Sequence, residues 1–420
     1  MVEKETLRQV IIQQKKRLSV KDKTVEREIL DDIMRWMGDD RILVLTGLRR
    51  SGKSTLLKQI MARVKDPGYV NFEDERFLDF GAKDFESLNE VLVEVYDNPK
   101  IFFFDEIQNV AGFELFVRRI QDQGRKVIIT GSNASLLSSE LGTRLTGRYR
   151  AFEVYPFSFT EFLKFRNITW DRDSYYVTET KVELLKAFGE YLVTGGLPEY
   201  LKNRDREYVK TLYDNIIYRD IISRYSIKKQ RSIKELVNIL ATNVSCQFTY
   251  NSLKKDLGLA NAITVKEYIS YLSNSYLFFE LHRFDYSVRK QLGHPKKVYL
   301  IDAAFKQIVG FSFSEDRGKM LENFVFLELK RRGLEAYYYS GKKECDFVVK
   351  TGKKVTAALQ VCHALNDGNR EREIGGLVEC ANHFGLKEGL ILTLEEDEEI
   401  TVDGVKIRVM PAIRWAMDRL

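Results

Sequence analysis

Near the start of the chain, apolar residues recur at helical spacing, with Leu30, Ile33, Met34 and Met37 on one face. The run Arg41–Thr46 (RILVLT) breaks that period. It is short and mostly apolar, as expected of a parallel strand buried on both faces. A glycine-rich turn and a further helical stretch follow. The alternation then continues: Tyr69–Phe72 reads as a strand, Phe85–Tyr96 as a helix, and Ile101–Phe104 (IFFF) and Val127–Thr130 (VIIT) as strands. Strands alternating with helices imply βαβ units around a parallel sheet. With its N-terminal helices, this domain is expected to span residues 1–165.

Residues 166–225 read as an aromatic-rich helical lid or linker. Over 226–300 the pattern gives three helices, Ser232–Asn243, Tyr250–Leu257 and Thr264–Ser273, then a strand, Leu277–Phe284. That is the element order of a winged helix-turn-helix. The remaining stretch, 301–420, reads as αβββαβ: helix Lys319–Arg332, strands Ala336–Ser340, Cys345–Lys350 and Val355–Val361, helix Arg370–Phe384, strand Gly389–Leu394. No internal repeat or low-complexity segment interrupts this order.

Composition narrows the class. With 420 residues, 44% hydrophobic and 30% charged, the chain is neither collagen-like nor disordered, and its length suits two to four domains. No apolar run approaches the roughly 20 residues that span a bilayer, so no membrane partner is expected. The start, MVEKETLRQV, lacks the apolar core of a secretion signal. Four scattered cysteines, Cys246, Cys345, Cys362 and Cys380, form no CxxC pair and suit a reducing cytoplasm. The net charge of +6 is unevenly spread: residues 224–300 hold 13 Lys/Arg against 5 Asp/Glu. A local field of that sign favours a polyanion, although a solvated surface with counter-ions accounts for it too.

The glycine-rich turn is Gly47-Leu48-Arg49-Arg50-Ser51-Gly52-Lys53-Ser54, a full match to GxxxxGK[ST], and Thr55 follows it. It leaves an apolar strand and opens a helix. In that setting glycines let backbone amides close around phosphate oxygens, and the helix N-terminus adds positive charge. Lys53 would neutralise β- and γ-phosphates, and the Ser54 hydroxyl would ligate Mg²⁺. About 50 residues on, IFFF ends in Asp105-Glu106. A carboxylate at that strand end can hold Mg²⁺, and its neighbour can deprotonate an attacking water. Asp105 is the expected metal carboxylate and Glu106 the expected general base. Past VIIT come Gly131-Ser132-Asn133, where a polar side chain, Ser132 or Asn133, is a candidate sensor of the γ-phosphate or of the water, and a strand-end turn is the other reading. Arg144 and Arg148 follow, and Arg148 is favoured as a guanidinium offered to a neighbour's nucleotide.

These segments together resemble a known group. GLRRSGKSTLL, FFFDEIQNV, ITGSNASLLSSELGTRLTGR and YPFSFTEFL are similar to the archaeal and bacterial DEXX-box ATPases of AAA+ type, which carry a C-terminal domain of unknown function. The likeness extends to GGLPEYL (Gly195–Leu201) and onward over nearly the whole chain. It implies an α/β P-loop NTPase core, a winged-helix domain, ATP and Mg²⁺ as cofactors, ATP hydrolysis, and the roles given above for Lys53, Ser54, Asp105 and Glu106. A cytoplasmic homo-oligomer is expected, with DNA as a partner of the basic region 224–300. Candidate DNA contacts there are Lys254, Lys255, Lys266, Tyr268, Ser270, Tyr271, Ser273, Asn274, Arg283, Arg289, Lys290, Lys296 and Lys297.

Residues 301–420 also resemble the restriction-endonuclease-like fold. That resemblance places acidic residues at Glu322 on the first helix and Asp346 on the second strand. Where the fold's next strand has (D/E)-x-Lys, this chain has Gln360-Val361-Cys362. Phosphodiester cleavage needs clustered carboxylates around Mg²⁺. A neutral amide and a thiol supply neither charge nor cation, so a nuclease-like scaffold without nuclease activity is expected. Glu344 is the residue that would restore a metal site.

Overall fold

Phe102, Phe103 and Phe104 are fully buried, and alternate residues of their strand enter two different cores. Such a strand must lie inside a sheet covered on both sides, and burying each phenyl ring contributes about 1.5–3 kcal/mol. The structure is a computed structural model that describes residues 2–18, 24–133, 145, 147–171, 173–310 and 317–418. It divides into two compact units.

The first unit runs to Tyr155 and includes Asn274–Tyr276. Its elements are α1 (Lys4–Leu18), α2 (Leu30–Met34), β1 (Ile42–Thr46), α3 (Lys53–Met61), β2 (Pro67–Asn71), α4 (Phe85–Tyr96), β3 (Ile101–Asp105), α5 (Phe113–Asp122), β4 (Lys126–Gly131) and β5 (Tyr149–Glu153). The five strands form one parallel sheet in the order β2-β3-β4-β1-β5. Ile42, Val44, Phe102 and Phe104 meet α1, α4 and α5 on one face, while Leu43, Leu45 and Phe103 meet α2 and α3 on the other. The fifth strand was not expected from sequence. Of its residues, YRAFE, only Phe152 is buried, so the period-2 signal is faint.

Because all five strands are parallel, their carboxyl ends share an edge. β4 lies between β1 and β3. Thr46 pairs with Gly131 and Phe104 with Ile129. The turn after β1, the Asp105-Glu106 pair and the Gly131–Asn133 segment therefore all leave the sheet at one side, where open α/β sheets bind ligands.

The second unit holds Pro156–Ser273 and the chain from Leu277 onward. Helices Phe159–Phe165, Thr178–Thr194, Pro198–Asn203 and Arg206–Asn215 lead into a π-helix, Ile216–Ser223. Helices Gln230–Thr242, Tyr250–Asp256 and Ala262–Asn274 follow the expected three-helix pattern. They come with an antiparallel sheet of β6 (Gln247–Phe248), β7 (Phe278–His282) and β8 (Lys296–Leu300), ordered β6-β8-β7.

Beyond helices Ala303–Val309 and Arg317–Arg331, a mixed six-stranded sheet contains β9 (Glu335–Ser340), β10 (Glu344–Thr351), β11 (Lys354–Val361), β12 (Glu388–Thr393), β13 (Glu398–Val402) and β14 (Val405–Pro411). Its order is β13-β14-β12-β11-β10-β9, and helix Arg370–Phe384 packs on one face through Leu377, Val378 and Ala381. The expected αβββαβ order is present, extended by the β13–β14 hairpin and a last helix, Ala412–Met417.

The Gly195-Gly196 turn closes helix Thr178–Thr194. The Gly196 amide donates to Asp302 Oδ2 at 2.7 Å, and its carbonyl accepts from the Phe157 amide at 2.8 Å. Burial raises the Asp302 carboxyl to about 6 against the backbone hydrogen bonds that hold it down.

Candidate nucleotide site

The turn between β1 and α3 owes its shape to two glycines. Gly47 has φ +150°, and a Cβ there would stand 2.2 Å from the Val154 carbonyl oxygen. Gly52 has φ +97°, a left-handed conformation that favours glycine, and no side chain caps α3 behind it. The first amides of a helix have no partner within the helix, so an uncapped first turn is suited to an anion. Arg50 also takes a positive φ, 66°. Leu48 and Ser51 are buried, Arg50 and Ser54 are exposed, and Thr55 is half-buried. Arg49 pairs with Glu73 at 3.1 Å.

Lys53 is buried. Its Nζ donates to the carbonyl oxygens of Gly47 (3.1 Å) and Leu48 (3.0 Å) and lies 3.8 Å from Glu106 Oε1. Asp105 is fully buried and accepts hydrogen bonds from Thr130 Oγ1 (2.5 Å) and Tyr69 Oη (3.1 Å). Burial, and then the Glu106 charge, raise the Asp105 carboxyl above its ordinary value, while hydrogen bonds from Thr130, Ser54 and Tyr69 oppose the rise. Glu106 adopts a left-handed backbone, φ 52°, and its amide donates to Thr130 Oγ1 at 2.9 Å. Its Oε2 accepts from Gln108 Nε2 at 2.5 Å. Asn133, two residues past β4, is buried at the same edge.

Lys53, Ser54, Asp105, Glu106 and Asn133 are therefore brought to one edge. Arg148 is not. It immediately precedes β5, which runs beside β1 from Tyr149 opposite Ile42 to Glu153 opposite Thr46. That is the far end of the sheet from the chain's own turn, and Arg148 there pairs with Asp122 at 2.5 Å. Arg144 lies outside the described residues.

Several contributors were not read from the sequence. Thr130 and Tyr69 were placed in strands, but their hydroxyls carry no local signature of a distant carboxylate. Gln108 shows no motif. Arg27 is buried against the turn, donating to the Ser51 carbonyl at 2.9 Å and the Tyr155 carbonyl at 2.6 Å. In the same unit the Tyr276 hydroxyl donates to Thr46 Oγ1 at 2.7 Å.

The basic stretch needs a correction. Lys296 and Lys297 are 3% and 2% exposed and cannot face a polyanion. Lys296 Nζ donates to the carbonyls of Leu292 and His294, each at 2.8 Å. Tyr268 is buried, and Tyr271 stacks on Tyr225 at 3.8 Å, so both rings pack within the protein. Lys255, Lys266, Ser270, Arg289 and Lys290 remain exposed.

Residues 39–163 match the AAA domain family, and residues 185–311 match a domain of unknown function (DUF8612). The parallel sheet and the turn just described lie within the stretch that the AAA domain family matches. The chain belongs to one family with an uncharacterized protein of Methanocaldococcus jannaschii, with which it shares 35% identity over 438 residues, covering 99% of this chain and 96% of that one. An uncharacterized protein of Haemophilus influenzae is 28% identical over 397 residues, 90% of this chain and 95% of its own length.

Among solved structures, a Walker-type ATPase of Pyrococcus abyssi is similar with a TM-score of 0.45 at 15% identity, covering 70% of this chain and 99% of that one. Cdc6p from Pyrobaculum aerophilum gives 0.29 at 14% identity, covering 73% and 96%. Among the described residues, no helix is long and apolar enough to cross a membrane.

Proposed function

We propose that this chain is a Mg²⁺-dependent ATPase that couples its nucleotide state to DNA or partner binding through a winged helix at 226–300. The supporting observation is the meeting of the Lys53 ammonium, the Ser54 hydroxyl and the Asp105 and Glu106 carboxylates at one sheet edge. In this reading the backbone from Gly47 to Thr55 cradles the phosphates and Lys53 neutralises them. An exposed hydroxyl hydrogen-bonded to a buried carboxylate, as in Ser54 and Asp105, is an all-oxygen donor set that suits Mg²⁺. When bound, the ion supplies charge neutralisation on the phosphates. Glu106 accepts the proton of the attacking water, and Asn133 orients that water. Arg148 serves a neighbouring copy's nucleotide in a homo-oligomer, since it stands away from its own. The ATPase core then spans 1–165 and the helical lid 166–225, with 301–420 a nuclease-like domain.

Steady-state turnover with an ATP-binding assay tests this. Lys53→Ala should lose ATP affinity. Glu106→Gln should bind ATP normally and turn over about 10²–10⁴-fold more slowly. Equal turnover in Glu106→Gln and the native chain would remove the general base.

A second reading is an ATP-dependent switch or scaffold with little turnover. It is supported by the Gln108 amide, which already holds Glu106. A native rate near that of Glu106→Gln, with tight ATP binding retained, would favour it. An ATP-regulated nuclease is a third reading, and Gln360 and Cys362 weigh against it.

A further inference from the structure

Four elements of the second unit send polar or charged side chains into one largely buried cluster. Helix Arg317–Arg331 contributes Glu322, β10 contributes Glu344 and Asp346, β11 contributes Gln360, and β8 contributes Lys297 and Tyr299. Lys297 is 2% exposed, yet its Nζ lies 3.0 Å from Glu322 Oε1, 2.8 Å from Asp346 Oδ1 and 2.7 Å from Glu344 Oε1. Of the ammonium's three hydrogens, two are donated to Glu322 and Asp346, while Glu344 stands within ion-pair distance.

The surroundings hold those carboxylates in place. Tyr299 Oη donates to Glu322 Oε1 at 2.7 Å, the Val361 amide to Asp346 Oδ2 at 3.0 Å, and Gln247 Nε2 to Glu344 Oε2 at 2.5 Å. Gln360 accepts from the Asp346 amide at 3.2 Å and donates to Glu373 at 2.6 Å, so it is spent on positioning. Burial alone would lower the Lys297 pKa. Asp346 and Glu322 outweigh it and hold the amine well above its ordinary value.

A nuclease-like centre would need Glu322 and Asp346 to bind a divalent metal. The residues do not fit that role here, because the oxygens that would face the ion are engaged by the ammonium instead. What marks the cluster as a cation position is its occupant. We propose that Glu322, Glu344 and Asp346 form a cation cage that the chain fills with its own Lys297, closing this centre to divalent metal.

A lysine that assists phosphodiester chemistry keeps a donor for the phosphate. Lys297 is instead buried and ion-paired with three carboxylates. Nothing in the cluster depends on the nucleotide site.

Mn²⁺ titration followed by electron paramagnetic resonance, without nucleotide, tests the cage. Lys297→Ala should bind one more Mn²⁺ per chain than the native protein, and millimolar Mn²⁺ should raise its melting temperature while leaving the native one unmoved. Adding Asp346→Asn to Lys297→Ala should abolish that extra site. Equal Mn²⁺ counts in Lys297→Ala and the native chain would overturn the proposal. The native protein gives an independent check should Lys297→Ala not fold. Incubated with supercoiled DNA and Mn²⁺, it should leave the DNA intact, and nicking that disappears in Asp346→Asn would show the centre open.

Discussion

The Thr130 hydroxyl donates to Asp105 at 2.5 Å and accepts from the Glu106 amide at 2.9 Å, so one side chain orients the Asp105 carboxylate and anchors the Glu106 backbone. It touches neither phosphate nor water in the proposed reaction, which makes it a positioning residue. Thr130→Val keeps the shape and removes the hydroxyl. It should lower kcat by about tenfold, as expected for losing roughly one hydrogen bond of about 1.4 kcal/mol in the transition state, with KM little changed. Thr130→Ser should restore most of the rate. If kcat and KM move together, or Ser fails to rescue, the role is structural. At this scale the sequence was legible where chemistry is local. Gly47–Ser54 and Asp105-Glu106 are contiguous motifs. Thr130, Arg27 and Lys297 meet partners 25, 24 and 49 positions away, and no local pattern encodes those meetings.

At the scale of elements, the period-2 and period-3.6 signals found the inner strands and most helices, because those segments are buried on one or both sides. β5 escaped because it is short and half-polar. The β13–β14 hairpin escaped because the acidic run before it hides its alternation. Its turn, Asp403-Gly404, has both residues at positive φ, the signature of a two-residue hairpin. The GGLP turn carries weight that its composition understates. A Cβ on Gly196 would stand 2.2 Å from the Phe157 carbonyl oxygen and 2.8 Å from its nitrogen. Both are backbone atoms that cannot yield cheaply, and the Gly196 amide also holds Asp302. Gly196→Ala should destabilise the second unit by about 1–3 kcal/mol, the usual range for overpacking. Urea or thermal melts check this, and an unchanged midpoint would mean the turn relaxes freely.

For the whole molecule, the charge excess over 224–300 remains the best pointer to a nucleic-acid surface. Its usable part is smaller than the count of 13 basic residues suggests, since Lys296 and Lys297 are internal. Under the proposed function, duplex affinity should fall linearly in log–log terms with salt, by about 0.9 per phosphate contacted. Neutralising exposed Lys255, Lys266, Arg289 or Lys290 one at a time should flatten that slope by about one contact each. Lys296→Gln should leave the slope unaltered. Fluorescence anisotropy across a salt series reads both, and an affinity indifferent to salt would point to a protein partner instead.

Lys297 stands on β8, whereas all three of its carboxylates lie beyond residue 320. A chain cut after Leu300 would carry a buried cation without counter-charge, and the complementary piece would carry three acids with nothing between them. Neither fragment is electrically self-sufficient, so the two stretches form one inseparable piece of the molecule.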